Sequence, residues 1–134
     1  MRHAKPAPYK AMTLADLSAA LCAPADEATR QRLLQEFLEE YRWGPAACRA
    51  ELIAVRPCPT GDPRYDAYLG ALDEHLAYHE CLPMPSWAEE PDRFLDMWWF
   101  PVSLPSVRVD AIVHSPAAFR RRGIFIGQGA LDRA

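Results

Sequence analysis

Apolar residues in the first half of the chain recur at intervals of three and four. Leu14, Leu17 and Leu21 follow Thr13, which with Asp16 makes the pattern of a capping box, and the run ends before Pro24. A short first helix is expected there. From Asp26, a suitable cap, the stripe Leu33, Leu34, Phe37, Leu38 and Tyr41 repeats at helical spacing among Arg30, Arg32, Glu36, Glu39 and Glu40. Gly44 is placed to end this second helix. Pro45 is placed to begin a third, carrying Ala47, Cys48, Leu52 and Ile53, and the two are expected to form an antiparallel pair.

Residues 55–61, VRPCPTG, combine two prolines and a glycine and predict a loop. Asp62 and Pro63 then supply a cap and a first-turn proline. Tyr65, Tyr68, Leu69, Leu72, Leu76 and His79 follow on one face of a helix ending near Cys81. Five prolines from Leu82 through Pro105 forbid a long regular element and leave short turns, one capped by Ser86 and one by Asp92 running through Phe94, Leu95 and Met97. Pro105 opens a helix with Val107, Ala111 and Ile112, and Ser115 and Pro116 open another that stops at Gly123. Residues 123–126, GIFI, read as a short extended segment.

These elements predict an all-α bundle of five to seven helices with a proline-rich aromatic loop and a short extended C-terminal segment. Residues 1–12, proline-bearing and basic, read as a flexible lead-in to a single domain over 13–134. With 134 residues, half of them hydrophobic, the chain has enough apolar material for one core. The net charge of −3 argues against holding nucleic acid by bulk phosphate neutralisation. Cys22, Cys48, Cys58 and Cys81 form no CxxC pair, and Met1 to Lys10 lacks the apolar run of a signal peptide, so free thiols and a cytoplasmic address are expected. No apolar run approaches a membrane span.

Candidate chemistry is sparse. His75 and His79 stand four apart on a helix, the spacing of a zinc ligand pair, with Cys81, Glu80 and His114 as conceivable further ligands. A zincin motif needs Glu after the first His, whereas Glu74 precedes it and Leu76 follows. The plainer reading packs His79 on the apolar stripe, bonded to a loop carbonyl. GxSxG, P-loop and GxGxxG motifs are all missing, and no enzyme and no cofactor are expected.

Trp87, Trp98 and Trp99, with Phe94 and Phe100, place a large apolar area in the proline-rich stretch. It is either core made by a wrapping loop or an aromatic anchor for a protein partner. Residues 73–96 are acidic, whereas 105–122 carry Arg108, Arg120, Arg121 and Arg122. The two regions either pair across the fold or leave the arginines as an anion or partner site, although three consecutive helical positions point in three directions.

The run from GDPRYDAYLGALDEHLA through LPMPSW, FLDMWWF and LPSVRVDAIVHSPAAFRRRGIFI resembles a group of small actinobacterial helical proteins with the pattern GDxRWDAxLAALAEHLA, LPxPxW, FLDxxWF and SPAxFxRRGIFI. The likeness spans residues 30–134 or so, and Asp62, Trp87, Phe94, Leu95, Asp96, Trp99, Arg108 and Gly123 match. Tyr65 replaces the usual Trp, and Cys81 stands where Gly or Asp is common. Members are sometimes described as helix-turn-helix regulators or are encoded beside nucleotidyltransferase-like toxins. The resemblance therefore implies an antitoxin-like or regulatory role.

The expected function is non-enzymatic binding of a macromolecule, with Trp87, Trp98, Trp99, Arg108, Arg120, Arg121 and Arg122 as candidate contacts. The partner is expected to be a protein, in one version a toxin. A nucleic-acid-binding regulator and a zinc-dependent hydrolase at His75 and His79 are the alternatives. The oligomeric state stays open.

Overall fold

In the computed structural model several of the other elements are assembled on one long helix. The structure describes residues 11–23, 26–101, 105–127 and 130–131, with backbone only at 105–107. Among the described residues six α-helices run in the order α1 (Leu14–Leu21), α2 (Glu27–Trp43), α3 (Arg49–Ala54), α4 (Pro63–His79), α5 (Pro105–His114) and α6 (Ala117–Arg120). The fold is all-α, as the apolar spacing predicts. Residues 1–10 of the expected lead-in lie outside the described residues. Ala11 and Met12 belong to the fold: both pack against the core, and the Met12 amide donates to Glu40 Oε1 at 2.8 Å.

Helix α4 is the central element. The Asp62 side chain accepts from the Arg64 amide and Pro63 occupies the first turn, so its start is set locally. Tyr65, Tyr68, Leu69, Leu72 and Leu76 are buried, but so are Ala67, Gly70, Ala71 and Ala77, which lets neighbours close on more than one side. Gly70 is required by such an approach. A Cβ there would lie 3.0 Å from Arg93 Cβ and 3.3 Å from Arg122 Nε.

Helix α1 has both halves of the capping box between Thr13 and Asp16, and Asp26 caps α2 through the Thr29 amide. Helix α2 packs mainly on α1, and α3 on α1 and α4, so the expected antiparallel α2–α3 pair is not the main packing of either helix. Pro45 precedes a 3-10 turn at Ala46–Cys48 rather than opening α3 directly. Arg49 accounts for the tight corner. Its guanidinium donates to the carbonyls of Tyr41 (3.2 Å) and Arg42 (3.0 Å) at the end of α2, and its third contact is Glu80 at 2.8 Å.

The proline-rich stretch forms 3-10 turns at Ser86–Glu89 and Pro91–Arg93, both against α4. Asp92 does not open a helix through Phe94 and Leu95. The backbone there bonds instead to the chain after α6: the Leu95 amide to Arg122 O (3.0 Å), Trp99 to Gly123 O (2.8 Å) and Phe125 to Trp99 O (3.0 Å), with a parallel bridge between Trp99 and Ile124. Gly123 makes this possible with φ +84° and Leu95 Cβ 3.4 Å from where its own Cβ would stand. Ile124, Ile126, Phe119, Trp87 and Leu131 join Leu14, Leu17, Phe37 and Leu69 in one core.

Candidate partner-binding surface

Helix α5 is turned inside out. Among residues 108–114 only Ala111 is buried, while Val109, Ile112 and Val113 are 67 %, 47 % and 59 % exposed. At about 100° per residue, Val109 and Val113 lie opposite Ala111, with Ile112 and Arg108 together on one flank. That flank continues into the aromatic loop. The Arg108 guanidinium lies 5.4 Å over the Phe100 ring, Phe100 stacks on Phe125 at 5.3 Å, and Phe125 meets Trp98 at 4.7 Å. Trp98 and Met97 are 69 % and 81 % exposed. Arg108, Phe100, Phe125 and Trp98 thus form one continuous run of contacts that ends in an exposed tryptophan, and exposed apolar surface of this kind marks interaction sites.

The tryptophans divide. Trp98 faces solvent, supported by Phe125. Trp87 does not belong with it: the ring is buried, its Nε1 donates to Ala54 O at 3.2 Å, and the Arg93 guanidinium covers it at 4.9 Å. Its role as a partner contact is corrected to a core role, because the Ser86–Glu89 turn presses it onto α4. Trp99 is half-buried, edge-on to Tyr65 at 5.2 Å, with Arg64 over its ring at 5.1 Å. Sequence reasoning missed Trp43, exposed at the end of α2, and the outward face of α5. Val109 and Val113, four apart, were the available signal for the latter.

The arginines are largely consumed by the fold. Arg122 is fully buried and donates to Ala118 O (2.9 Å), Ala88 O (2.8 Å) and Glu74. Arg121 bonds Glu74 at 2.9 Å and also Glu89. Arg120 donates to the carbonyls of Val113 (3.1 Å) and Ser115 (3.2 Å). Contrary to the expectation of three separate directions, Arg121 and Arg122 converge on Glu74 and over the Phe94 ring while Arg120 turns away, and the acidic and basic regions pair across the fold at Glu74 and Glu89. Arg122 is therefore withdrawn as a partner contact. Desolvation lowers its pKa while Glu74 opposes that fall. Burial likewise disfavours the Glu74 carboxylate, but the bonds from Arg122 and Arg121 prevail and hold its pKa below the ordinary value. Arg108 alone of the four is exposed with its guanidinium on the apolar face.

Beneath this network lies Asp73, fully buried, with neither carboxylate oxygen hydrogen-bonded. Burial pushes its pKa up to about 8, against the pull of Arg122 and Arg93. At neutral pH it is mainly a neutral acid.

His75 and His79 have ring centroids 4.3 Å apart, their planes tilted by 54°, beside a crevice of about 390 Å³ lined also by Glu74, Tyr78 and Pro116. His79 is exposed rather than packed on the apolar stripe of α4. Glu74 is already taken by the arginines, His114 pairs with Asp110 at 3.0 Å, and no group of three or more His, Cys, Asp or Glu among the described residues is arranged to hold a metal. A second cleft, of about 330 Å³ between Arg56, Asp66, Glu90 and Arg93, is polar, with Arg56 bonded to Glu90 at 3.0 Å. No helix among the described residues is long and apolar enough to cross a membrane. No family model matches the chain, and neither a curated protein nor a solved structure matches it.

Proposed function

We propose that this chain is a non-enzymatic binding protein that takes a protein partner on the face centred on Trp98, with Met97 and Phe100 beside it and Arg108 at the edge. The observation that carries the reading is the exposure of Trp98 on a ring-to-ring support: Trp and Arg at the centre of a rigid apolar patch supply most of the energy in protein interfaces. The resemblance noted above makes an antitoxin-like role, neutralising a toxin, the first version to test. Four exposed free cysteines suit the reducing cytoplasm of that reading.

The regulator alternative has less support, because Arg122 is buried, Arg121 is bonded to Glu74 and Glu89, and Arg120 spends one amino group on two carbonyls, so that Arg108 is the member of that set placed beside Trp98's aromatic run. A hydrolase at His75 and His79 has no third ligand among the described residues. The test is purification of the tagged chain from its own cells after nuclease treatment, with mass spectrometry of what co-elutes. A stoichiometric protein lost from Trp98→Ala supports the reading. Material that vanishes with nuclease points to the regulator instead.

A further inference from the structure

We propose that His75 and His79 form a two-point chelate, at the last turn of α4, for a divalent transition-metal ion that favours right-angled coordination, Ni²⁺ or Cu²⁺. This does not rest on the partner-binding reading. Positions four apart lie one above the other on a helix, so the backbone of α4 itself holds the two imidazoles as neighbours. Their centroids are 4.3 Å apart and their planes are tilted by 54°, so the rings are not stacked in parallel. His79 is exposed, whereas His75 is half-buried and edge-on to Phe119 at 6.1 Å, which supports the inner ring of the pair. Each imidazole has two nitrogens and can keep a protein bond at one while ligating through the other.

The separation of the rings selects the metal. An ion about 2.0 Å from a ring nitrogen stands about 3.1 Å from that ring's centroid, so centroids 4.3 Å apart subtend about 85–90° at it. This is the angle between neighbouring ligands in square-planar and octahedral complexes, whereas the tetrahedral angle that zinc prefers would set the centroids about 5.1 Å apart. The crevice beside the pair, lined also by Pro116, Ala117 and Ala118, has room for the ion and the solvent ligands that complete its shell. Glu74 at the same crevice has its charge met by Arg121 and Arg122, but the carbonyl end of α4 still favours a cation at this turn. With two protein ligands the ion is exchangeable, a surface chelate rather than a closed structural centre.

Calorimetric titration of Ni²⁺ into the purified full chain, in a phosphine reductant that keeps the four exposed cysteines as thiols, tests this. The expected result is a binding step whose affinity falls at least tenfold in His75→Ala and, separately, in His79→Ala, and that His3→Ala, His114→Ala and Cys81→Ser leave unchanged. His79 is exposed, so its variant does not threaten the core. Nickel is expected to raise the melting temperature of the wild type and not that of His79→Ala, because only the folded helix sets the two rings side by side. Zn²⁺ is expected to bind the pair more weakly than Ni²⁺. The absence of a nickel step that both alanines weaken overturns the proposal, as does loss of that same step from Cys81→Ser. Zinc binding more tightly than nickel overturns the right-angled geometry. Trp98→Ala is expected to keep the nickel step and His79→Ala to keep the co-purifying protein, so this claim and the partner-binding reading fail separately.

Discussion

Arg122 and Glu74 meet at the wall of the core, the guanidinium fully buried and the carboxylate a quarter exposed, tying the end of α6 to the middle of α4. Two carbonyls also accept from its terminal nitrogens, so the charge is met by bonds rather than by water, although Nε is buried without a partner. Removing one partner of a buried pair leaves the other unpaired and typically costs about 3–5 kcal/mol. Glu74→Gln strands a buried cation and is expected at or somewhat below the low end, since Ala118 and Ala88 still hold it. Urea unfolding measures this, and a loss under about 1 kcal/mol would contradict the role given to the pair.

Gly70→Ala is expected to destabilise the chain although alanine is the better helix former by about 1 kcal/mol. The new methyl would meet Arg93 Cβ at 3.0 Å, and overpacking of this kind costs about 1–3 kcal/mol. Thermal melting decides the sign, and a stabilised variant would mean that Arg93 and Arg122 do not close on α4 as described.

Stability should decline as pH rises from about 4 to about 8. The folded-state pKa of Asp73, about 8, lies above its ordinary 3.8, so across that window the folded state holds a proton that the unfolded state has lost. The contribution is complete below the window and gone above it. Glu74 and Asp62, with lowered pKa values, act oppositely and lose their contribution as pH falls below the carboxylate range. Chemical denaturation at pH 5, 7 and 9 is expected to show the decline in the wild type and a flatter profile in Asp73→Asn. Identical slopes would remove Asp73 as the cause.

Trp87 and Trp98 should respond oppositely to truncation. Trp87→Ala opens the core and is expected to cost about 3–5 kcal/mol, whereas Trp98→Ala, at the surface, should stay within about 1 kcal/mol of the wild type. Paired melting curves check this, and comparable losses would mean that Trp98 is a core residue.

Local signals account for what the sequence made legible. The Thr13–Asp16 box, the Asp26 and Asp62 caps and the apolar stripes of α2 and α4 each lie within one element, and all four are realised. Long-range pairings were not legible. Asp92 has a helix-opening sequence, yet residues after it are held by backbone bonds to Arg122 and Gly123, far along the chain. Nothing local distinguishes Arg122, which Gly70 admits to the interior, from Arg120, which stays outside. Helix α5 carries apolar residues on both faces, Ala111 inward and Val109 and Val113 outward, so spacing alone did not say which face the core would take. Trp87 and Trp98 look alike in sequence because only the turn at Ser86–Glu89 decides which is covered.

The central claim is that Trp98 anchors a protein partner. Its most direct test is nuclease-treated affinity purification of the wild type, Trp98→Ala and the exposed control Trp43→Ala, side by side from the native cells. The account predicts one stoichiometric protein with the wild type and with Trp43→Ala, reduced at least tenfold with Trp98→Ala while that variant remains folded. Equal recovery from Trp98→Ala and the wild type would contradict it.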